Sequence, residues 1–208
     1  MLNKQIMVTA ETALPGRDTS IQIDQPHYVN QSKLTITVEA PLQAVLFGMG
    51  CFWGAERLFW SLDGVVSTSV GYSGGFTSNP SYDEVCTGQT GHAEVVQVVF
   101  DPQIISLNNL LDSFWEKHDP TQGMKQGNDL GTQYRSAIYV YDELQLNIAL
   151  ETKHQYQTAL NNDNWHEITT EIELAGKYFF AEDYHQQYLA KNPSGYCGLG
   201  GTGVCFPT

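Results

Sequence analysis

The chain contains few charged residues, and few of these are basic. Charged residues make up only 16% of the 208 residues, and 10 lysines and arginines stand against 23 aspartates and glutamates, for a formal net charge of −13. A strong negative charge opposes binding to nucleic acid and to anionic membrane surfaces, which require a basic face. The composition therefore predicts neither a nucleic-acid-binding protein nor a membrane-surface protein.

Long apolar runs are also missing. No stretch approaches the roughly 20 apolar residues that a membrane-spanning helix needs. The first residues, MLNKQIMV, lack the apolar core of a secretory signal peptide. We therefore expect a cytoplasmic protein in a reducing compartment, without a membrane partner. The apolar fraction of 41% is enough for a substantial core in one domain.

Cysteine is scarce, and its spacing limits its roles. Cys51, Cys86, Cys197 and Cys205 form no Cys-x-x-Cys pair and have no histidine at zinc-finger spacing. A zinc site is therefore only weakly supported, and we expect no bound metal. In a reducing compartment such cysteines are more often catalytic or inert than joined in structural disulfides.

The chain is organised around residues 44–62, where a short apolar run changes to helical spacing. The first four residues suit a buried strand, and two glycines then allow a tight turn. From Cys51 onward the apolar residues fall on one helix face, which places Cys51 at the start of a helix. Free N–H groups and the helix dipole lower a thiol pKa at that position. We expect a reactive thiolate beside Phe52 and Trp53; the alternative is a small core residue.

The periodicity of the remaining chain predicts an α+β fold. Alternating residues indicate a possible edge strand at 34–38 and strands at 66–72, 93–100, 137–141 and 168–174. Helical spacing indicates helices after Ser106, after Asp142 and over 181–190. This order favours a two-layer sandwich of helices on a mixed sheet, near a ferredoxin-like arrangement, with long coil arms at both termini.

Composition divides the chain into three parts. Residues 1–40 form a polar N-terminal arm, residues 41–190 the catalytic α+β domain, and residues 191–208 a glycine-rich C-terminal tail. The domain contains two long loops, 73–92 and 121–135, and loops of that length are usually functional or mobile. A mobile tail could bring its two thiols to an oxidised cysteine, as thiol–disulfide exchange requires; the alternative is a loose terminus with incidental cysteines.

The strand at 93–100 places one carboxylate on an otherwise apolar face. Glu94 shares that face with Val96, Val98 and Phe100 because side chains alternate along a strand. Desolvation should raise the pKa of Glu94, so that it can be protonated near neutral pH and act as an acid. The alternative is a strand-end carboxylate that reaches solvent.

The two long loops hold polar side chains that could bind a ligand. Tyr82 and Tyr134 can donate hydrogen bonds to a ligand oxygen, although most tyrosines serve packing or the surface. Asp129 is a weaker candidate because turn and cap roles usually explain a loop aspartate.

Several motifs, met in order, resemble those of the A-type peptide methionine sulfoxide reductases. They are GCFWG at 50–54, GYSGG at 71–75, YDEV at 82–85, GHAEV at 91–95, GTQYRS at 131–136 and EDYHQQY at 182–188. The resemblance covers about residues 42–205, and so many matches in order make it specific. The Cys197 and Cys205 tail resembles the three-cysteine branch of that family, whereas the N-terminal arm matches less clearly.

The resemblance implies a mechanism. The Cys51 thiolate attacks the sulfoxide sulfur, Glu94 protonates the oxygen, and the sulfenic acid left on Cys51 condenses with Cys197. Cys205 then takes over Cys197, and thioredoxin reduces the 197–205 disulfide. The resemblance also implies a substrate site in which Tyr82 and Tyr134 hydrogen-bond the oxygen and Phe52 and Trp53 hold the ε-methyl group. Asp129 is the fifth candidate substrate-binding residue. It assigns no role to Cys86.

The same resemblance implies the partners. Substrates are oxidised proteins, peptides or free methionine sulfoxide of the S epimer, so the activity is protein repair under oxidative stress. No cofactor is expected beyond thioredoxin or another dithiol as electron donor, and we expect a monomer. Two other classes remain open on the residues alone: a cysteine hydrolase with His92 or His185 as base, and a redox-sensing binding protein.

Overall fold

A six-stranded mixed sheet forms the centre of the fold. The computed structural model describes residues 4–207, so the first three residues of the arm and the last residue of the tail lie outside the described residues. The strands are β1 (Gln43–Met49), β2 (Val65–Ser73), β3 (Ala93–Phe100), β6 (Ser136–Val140), β7 (Glu171–Leu174) and β8 (Phe179–Phe180). Their order is β7-β6-β1-β3-β2-β8, with β6 and β7 parallel and the other neighbours antiparallel.

The helices pack mainly on one face of this sheet. They are α1 (Phe52–Trp60), α3 (Leu107–Lys117) and α4 (Glu143–Asn162), with short helices α2 (Tyr82–Cys86) and α5 (Tyr188–Lys191). Phe47 of β1 stacks on Phe59 of α1 at 4.8 Å and on Phe114 of α3 at 5.2 Å. Val96, Val98 and Phe100 join this core, whereas Val95 packs into a smaller cluster on the opposite face. The α+β sandwich is therefore confirmed.

Helix starts follow the capping chemistry of the sequence. Ser106 forms a capping box with Asn109 at the start of α3, and the Asp142 carboxylate accepts a hydrogen bond from the Gln145 N–H at the start of α4. These side chains satisfy N–H groups that the first helical turn leaves without partners. Both predicted helix starts are confirmed.

Several predicted element bounds are wrong. Residues 34–38 form no strand, and the predicted strand at 168–174 begins only at Glu171. The predicted helix at 181–190 is reduced to α5, because the Gln186 amide bonds to the Val70 main chain and Gln187 adopts a left-handed φ of 48°.

The two long loops contain short elements that periodicity does not reveal. In the first loop, α2 starts with a capping box between Ser81 and Glu84. In the second, β4 (Lys125–Gln126) pairs with β5 (Asp129–Leu130), and a 3₁₀ turn follows at Thr132–Tyr134. Each element is too short to show a hydrophobic period, and α2, β5 and the 3₁₀ turn each contain a candidate site residue.

Candidate active site

Cys51 lies at the junction of β1 and α1. It is the N-cap of α1 and is partly exposed. The preceding Gly50 has a φ of 82°, and an added Cβ would lie 2.6 Å from the Gln126 side chain, so glycine is required there. The predicted change from strand to helix at this cysteine is confirmed.

The predicted direction of the Cys51 pKa shift is wrong. Burial raises the pKa of the Cys51 thiol, and the negative charge of Glu94 raises it further. Hydrogen bonds from the main-chain N–H groups of Trp53 and Gly54 act in the opposite direction but are outweighed. Desolvation therefore exceeds the helix-terminus effect at this site, and the resting thiol keeps its proton near neutral pH.

Glu94 is completely enclosed at the start of β3. Its Oε2 accepts a hydrogen bond from the Phe52 N–H at 3.3 Å, and its Oε1 has no hydrogen-bond partner in the described part of the chain. Burial raises the pKa of Glu94 to about 8, with a further contribution from the charge of Asp129, while the Phe52 N–H opposes the rise. The expected rise in pKa is confirmed, so Glu94 is mostly a neutral acid at pH 7.

Two tyrosines lie near Glu94 and remain hydrogen-bond donors. Burial raises the pKa of Tyr82 and of Tyr134, and the charge of Glu94 is the next cause for both. Tyr82 is the first residue of α2, where its N–H donates to Glu182 Oε1 at 2.9 Å. Tyr134 ends the 3₁₀ turn between β5 and β6. The predicted loop tyrosines thus both lie around the carboxyl group of Glu94.

Aromatic rings form a wall beside the start of α1. Phe52 is buried, and Trp53 stacks on Tyr188 with ring centroids 4.0 Å apart. His185 lies 5.2 Å from the Phe52 ring and 4.4 Å from the Tyr82 ring. The wall therefore joins residues of α1 and α2 to the segment that precedes α5.

His185 is a neutral member of this wall rather than a base. The Trp53 Nε1–H donates to His185 Nδ1 at 3.0 Å, so the ring proton is on Nε2. Burial lowers the pKa of His185 to about 4. His92 is also fully engaged, because its Nδ1 accepts from the Gly75 N–H and its Nε2 bonds to the Thr77 carbonyl at 2.7 Å. Neither histidine has a free lone pair for the hydrolase alternative.

The tail is folded onto the domain. Cys197 Sγ accepts a hydrogen bond from Arg57 Nη2 at 3.1 Å and lies so close to Gly54 that an added Cβ would be 3.0 Å away. Beyond it, Phe206 stacks on Tyr156 of α4. The predicted resolving thiol thus lies over the first turns of α1, the helix that begins at the candidate nucleophile.

The remaining candidates differ in placement. Cys205 is exposed near the end of the tail, and all four cysteines are free. Asp129 on β5 accepts a hydrogen bond from the Tyr196 hydroxyl at 3.2 Å, beside the tail. Cys86 lies on α2 and is hydrogen-bonded to Tyr82.

Residues 4–207 contain neither a metal-binding cluster nor a membrane-spanning helix. No group of three or more His, Cys, Asp and Glu side chains in that range could hold a metal ion. No helix in that range is long and apolar enough to cross a membrane.

A partly exposed cysteine near a buried carboxyl group, with further free thiols in the chain, provides the groups that thiol-dependent oxidoreduction requires. A family model described as peptide methionine sulfoxide reductase matches residues 43–202. The chain therefore belongs to the peptide methionine sulfoxide reductase family, and it is an oxidoreductase that reduces methionine sulfoxide with thiols.

Relatives named peptide methionine sulfoxide reductase MsrA support this assignment over the full length. The chain is 68% identical to the Vibrio vulnificus protein over 207 residues, which is 100% of this chain and 99% of the relative. It is 60% identical to the Photobacterium profundum protein over 205 residues, or 98% and 97% of the two chains. The A-type identity given by the motifs is thereby confirmed.

Solved structures agree with the fold. Methionine sulfoxide reductase A of Corynebacterium diphtheriae has a TM-score of 0.87 and 45% identity, with 92% of this chain and 93% of that chain covered. Reduced Mxr1 from Saccharomyces cerevisiae has a TM-score of 0.73 and 36% identity, with 84% and 97% covered. Mxr1 in complex with Trx2 has a TM-score of 0.52 and 26% identity, with 74% and 90% covered.

Proposed function

We propose that this chain reduces the S epimer of methionine sulfoxide by attack of Cys51 on the sulfoxide sulfur. The observation that carries the proposal is the enclosed Glu94 carboxyl group, which is hydrogen-bonded to the first N–H of the helix that Cys51 caps. A protonated carboxyl group there can deliver a proton to the sulfoxide oxygen as the thiol attacks. The raised pKa of Cys51 fits a joint reaction, in which the thiol loses its proton as Glu94 supplies another.

The first step balances without any external reagent. Cys51 Sγ first forms a bond to the substrate sulfur. The oxygen then passes from the substrate sulfur to Cys51 Sγ, so the transient sulfur–sulfur bond and the sulfur–oxygen bond of the substrate both break as the sulfur–oxygen bond on Cys51 forms. The substrate sulfur gains two electrons and becomes methionine, while the Cys51 sulfur loses two and becomes a sulfenic acid. Glu94 gives one proton and regains one from the thiol over the step.

The neighbouring side chains bind the substrate in this scheme. Tyr82 and Tyr134 hydrogen-bond the sulfoxide oxygen, and Phe52 and Trp53 hold the ε-methyl group. Asp129 completes the substrate site from β5. Support comes from the position of both phenols around Glu94 and from the ring stacking of Trp53.

The tail thiols restore Cys51 in a relay. Cys197 displaces water from the sulfenic acid to form a disulfide, and Cys205 then attacks Cys197 and releases Cys51. Thioredoxin reduces the 197–205 disulfide, or another dithiol takes its place. The hydrogen bond from Arg57 to Cys197 supports the first exchange, and the complex of yeast Mxr1 with Trx2 supports the choice of reductant. The three-cysteine branch is part of this proposal.

The location, oligomeric state, cofactors and partners also belong to the proposal. We propose a cytoplasmic monomer that needs no metal or organic cofactor, acts on oxidised proteins, peptides or the free amino acid, and binds no nucleic acid or membrane. The division into arm (1–40), catalytic domain (41–190) and tail (191–208) also belongs to this proposal.

One assay tests the proposed reaction. A peptide containing racemic methionine sulfoxide is treated with the enzyme, thioredoxin and its reductase, and the two epimers are separated by chromatography. We expect loss of the S epimer alone, and no loss with Cys51→Ser. Consumption of both epimers, or of neither, would contradict the proposal.

A further inference from the structure

The N-terminal arm, which the structure describes from residue 4 to residue 40, contacts the loop that leads to Tyr82. Gly16 forms a parallel bridge with Ser78, and the Arg17 N–H donates to the Ser78 carbonyl at 2.9 Å. The Asn79 amide donates in return to the Arg17 carbonyl at 2.7 Å. The arm therefore adds a main-chain partner to the segment immediately before α2.

The same part of the arm holds the start of α2. Arg17 Nη2 lies 2.6 Å from Glu84 Oε1, and Glu84 is the residue that closes the capping box of α2 with Ser81. Tyr82 is the first residue of that helix. The ion pair between Arg17 and Glu84 therefore holds the first turn of α2, which orients the Tyr82 side chain.

A second contact connects the arm to the turn that bears Tyr134. The Thr132 N–H donates to the Lys4 carbonyl at 2.8 Å, and Thr132 begins the 3₁₀ turn that ends at Tyr134. Lys4 also lies against Gly88, where an added Cβ would be 3.3 Å from the Lys4 Cα. One arm residue therefore touches both loops that carry the candidate tyrosines.

A third contact connects the arm to the aromatic wall. The Tyr28 N–H donates to Gln187 Oε1 at 3.0 Å, and Gln187 directly precedes Tyr188, which stacks on Trp53. Gln187 holds a φ of 48°, which is unfavourable for a residue with a side chain. Its N–H and its amide Nε2 both donate to the buried carboxylate of Glu56, at 2.8 and 2.7 Å.

A buried hydrogen-bond chain anchors this third contact. His27 of the arm is fully enclosed and bonds through Nε2 to Thr68 Oγ1 at 2.9 Å, and that hydroxyl donates to Glu56 Oε1 at 3.1 Å. His27 Nδ1 accepts from the main-chain N–H groups of Val29 and Asn30. The arm is thereby joined to β2 and α1 beneath the wall.

We propose that the arm is a positioning element of the active site, which fixes through these contacts the segments presenting Tyr82, Tyr134 and the Trp53–Tyr188 pair. The inference rests on the proposed function of those side chains. Loop residues lose conformational entropy when they are fixed, so loops as long as these need partners to hold a set geometry. Misplacement of reacting groups by about 1 Å can cost about 10²-fold in rate. The matched family region begins at residue 43, so the arm lies outside it.

Gly16→Ala tests the proposal without touching a site residue. Gly16 has a φ of 75°, and an added Cβ would collide with the main-chain N of Ser78 at 2.6 Å and with its carbonyl oxygen. The matched control is Gly176→Ala, because an added Cβ there meets no atom within 4 Å. For each variant the rate of methionine formation is measured in a single turnover, together with the denaturant midpoint and the hydrogen exchange of the Arg17 amide.

We expect Gly16→Ala to lower the single-turnover rate by about 10- to 100-fold, with faster exchange of the Arg17 amide and a fully folded protein under assay conditions. In a Tyr82→Phe background the same substitution should lower the rate by a much smaller factor, because the contact it positions is already gone. Equal rates for Gly16→Ala and Gly176→Ala would overturn the proposal, and so would the same loss of rate in both backgrounds.

Two further comparisons keep the result decisive. If Gly16→Ala does not fold, Arg17→Met removes only the ion pair with Glu84; we expect a loss of a few-fold, and an unchanged rate would overturn the proposal. If Tyr82→Phe alone retains the wild-type rate, the proposed role of Tyr82 fails, and with it the proposal that the Gly16–Ser78 contact positions a reacting group. A slow Tyr82→Phe with a fast Gly16→Ala rejects the arm and leaves the proposed function intact.

Discussion

Glu94→Gln removes an acidic proton from an enclosed site and leaves the shape of the side chain almost unchanged. The glutamine Oε1 can still accept from the Phe52 N–H, but the carboxyl proton that passes to the sulfoxide oxygen is gone. General acid catalysis is typically worth about 10²–10⁴-fold, which corresponds to about 3–5 kcal/mol of transition-state stabilisation. We expect a loss of that size in the single-turnover rate of methionine formation.

The pH dependence of that rate gives a second test. A general acid acts in its protonated form, and the pKa of Glu94 is about 8. The wild-type single-turnover rate should therefore be level below pH 8 and fall above it, and this fall should be absent in Glu94→Gln. Exchange between the tail thiols and thioredoxin should be unchanged. A single-turnover rate of Glu94→Gln equal to that of wild type, or the same fall in rate above pH 8 in the variant, would remove Glu94 from the mechanism. Glu167→Gln on the exposed surface is the control.

The same substitution should change how stability depends on pH. The folded pKa of Glu94 lies above its unfolded value of 4.5, so its contribution to stability is fully present below pH 4.5 and is lost as pH rises to about 8. Integrated from pH 4.5 to 7, this amounts to a loss of about 3 kcal/mol in the free energy of unfolding. Denaturant unfolding at pH 5 and pH 8 should show a larger drop for wild type than for Glu94→Gln, and equal drops would refute the burial argument.

The other predictions concern the thiols and the aromatic wall. Cys51→Ser should abolish reduction, because a hydroxyl has neither the acidity nor the nucleophilicity of a thiol; more than trace activity would exclude Cys51 as nucleophile. Reduced wild type with excess sulfoxide and no reductant should yield about two methionines per enzyme, whereas Cys205→Ser should stop at the Cys51–Cys197 disulfide with about one; one equivalent from both would remove Cys205 from the relay. Thioredoxin should recycle Cys205→Ser poorly, and a small dithiol should do so better. His185→Phe removes the hydrogen-bond acceptor of the Trp53 indole. We expect KM to rise by roughly tenfold or less, which is the value of one hydrogen bond. An unchanged KM would show that this contact in the aromatic wall does not contribute to substrate binding.

The centre of the site could be predicted because its signals are local. A change from strand to helical periodicity placed Cys51 at the start of α1, and the two-residue period of β3 placed Glu94 on the core face. Periodicity does not predict the short helix α2, although Ser81 and Glu84 have the spacing of a capping box. That signal was present in the sequence, whereas a five-residue helix has no period to detect.

Long-range contacts explain what local patterns could not predict. The tautomer of His185 depends on an indole N–H that lies 132 positions earlier in the chain. The direction of the Cys51 pKa shift depends on burial by separate segments and on the charge of Glu94, so the local argument from the helix terminus gave the wrong sign. The role of Gln187 likewise requires Glu56 and the arm, and none of these is near it in sequence.

Transfer of the substrate oxygen to the Cys51 sulfur is the step on which the proposed reaction depends. It is tested by one measurement on the Cys197→Ser, Cys205→Ser double variant, which cannot form the relay disulfides. The reduced variant is mixed with ¹⁸O-labelled methionine sulfoxide, and the peptide that contains Cys51 is weighed by mass spectrometry. We expect about one methionine per enzyme and one ¹⁸O atom on Cys51, held as a sulfenic acid. Methionine formed without labelled oxygen on Cys51, or with the label on Cys86, would contradict this transfer.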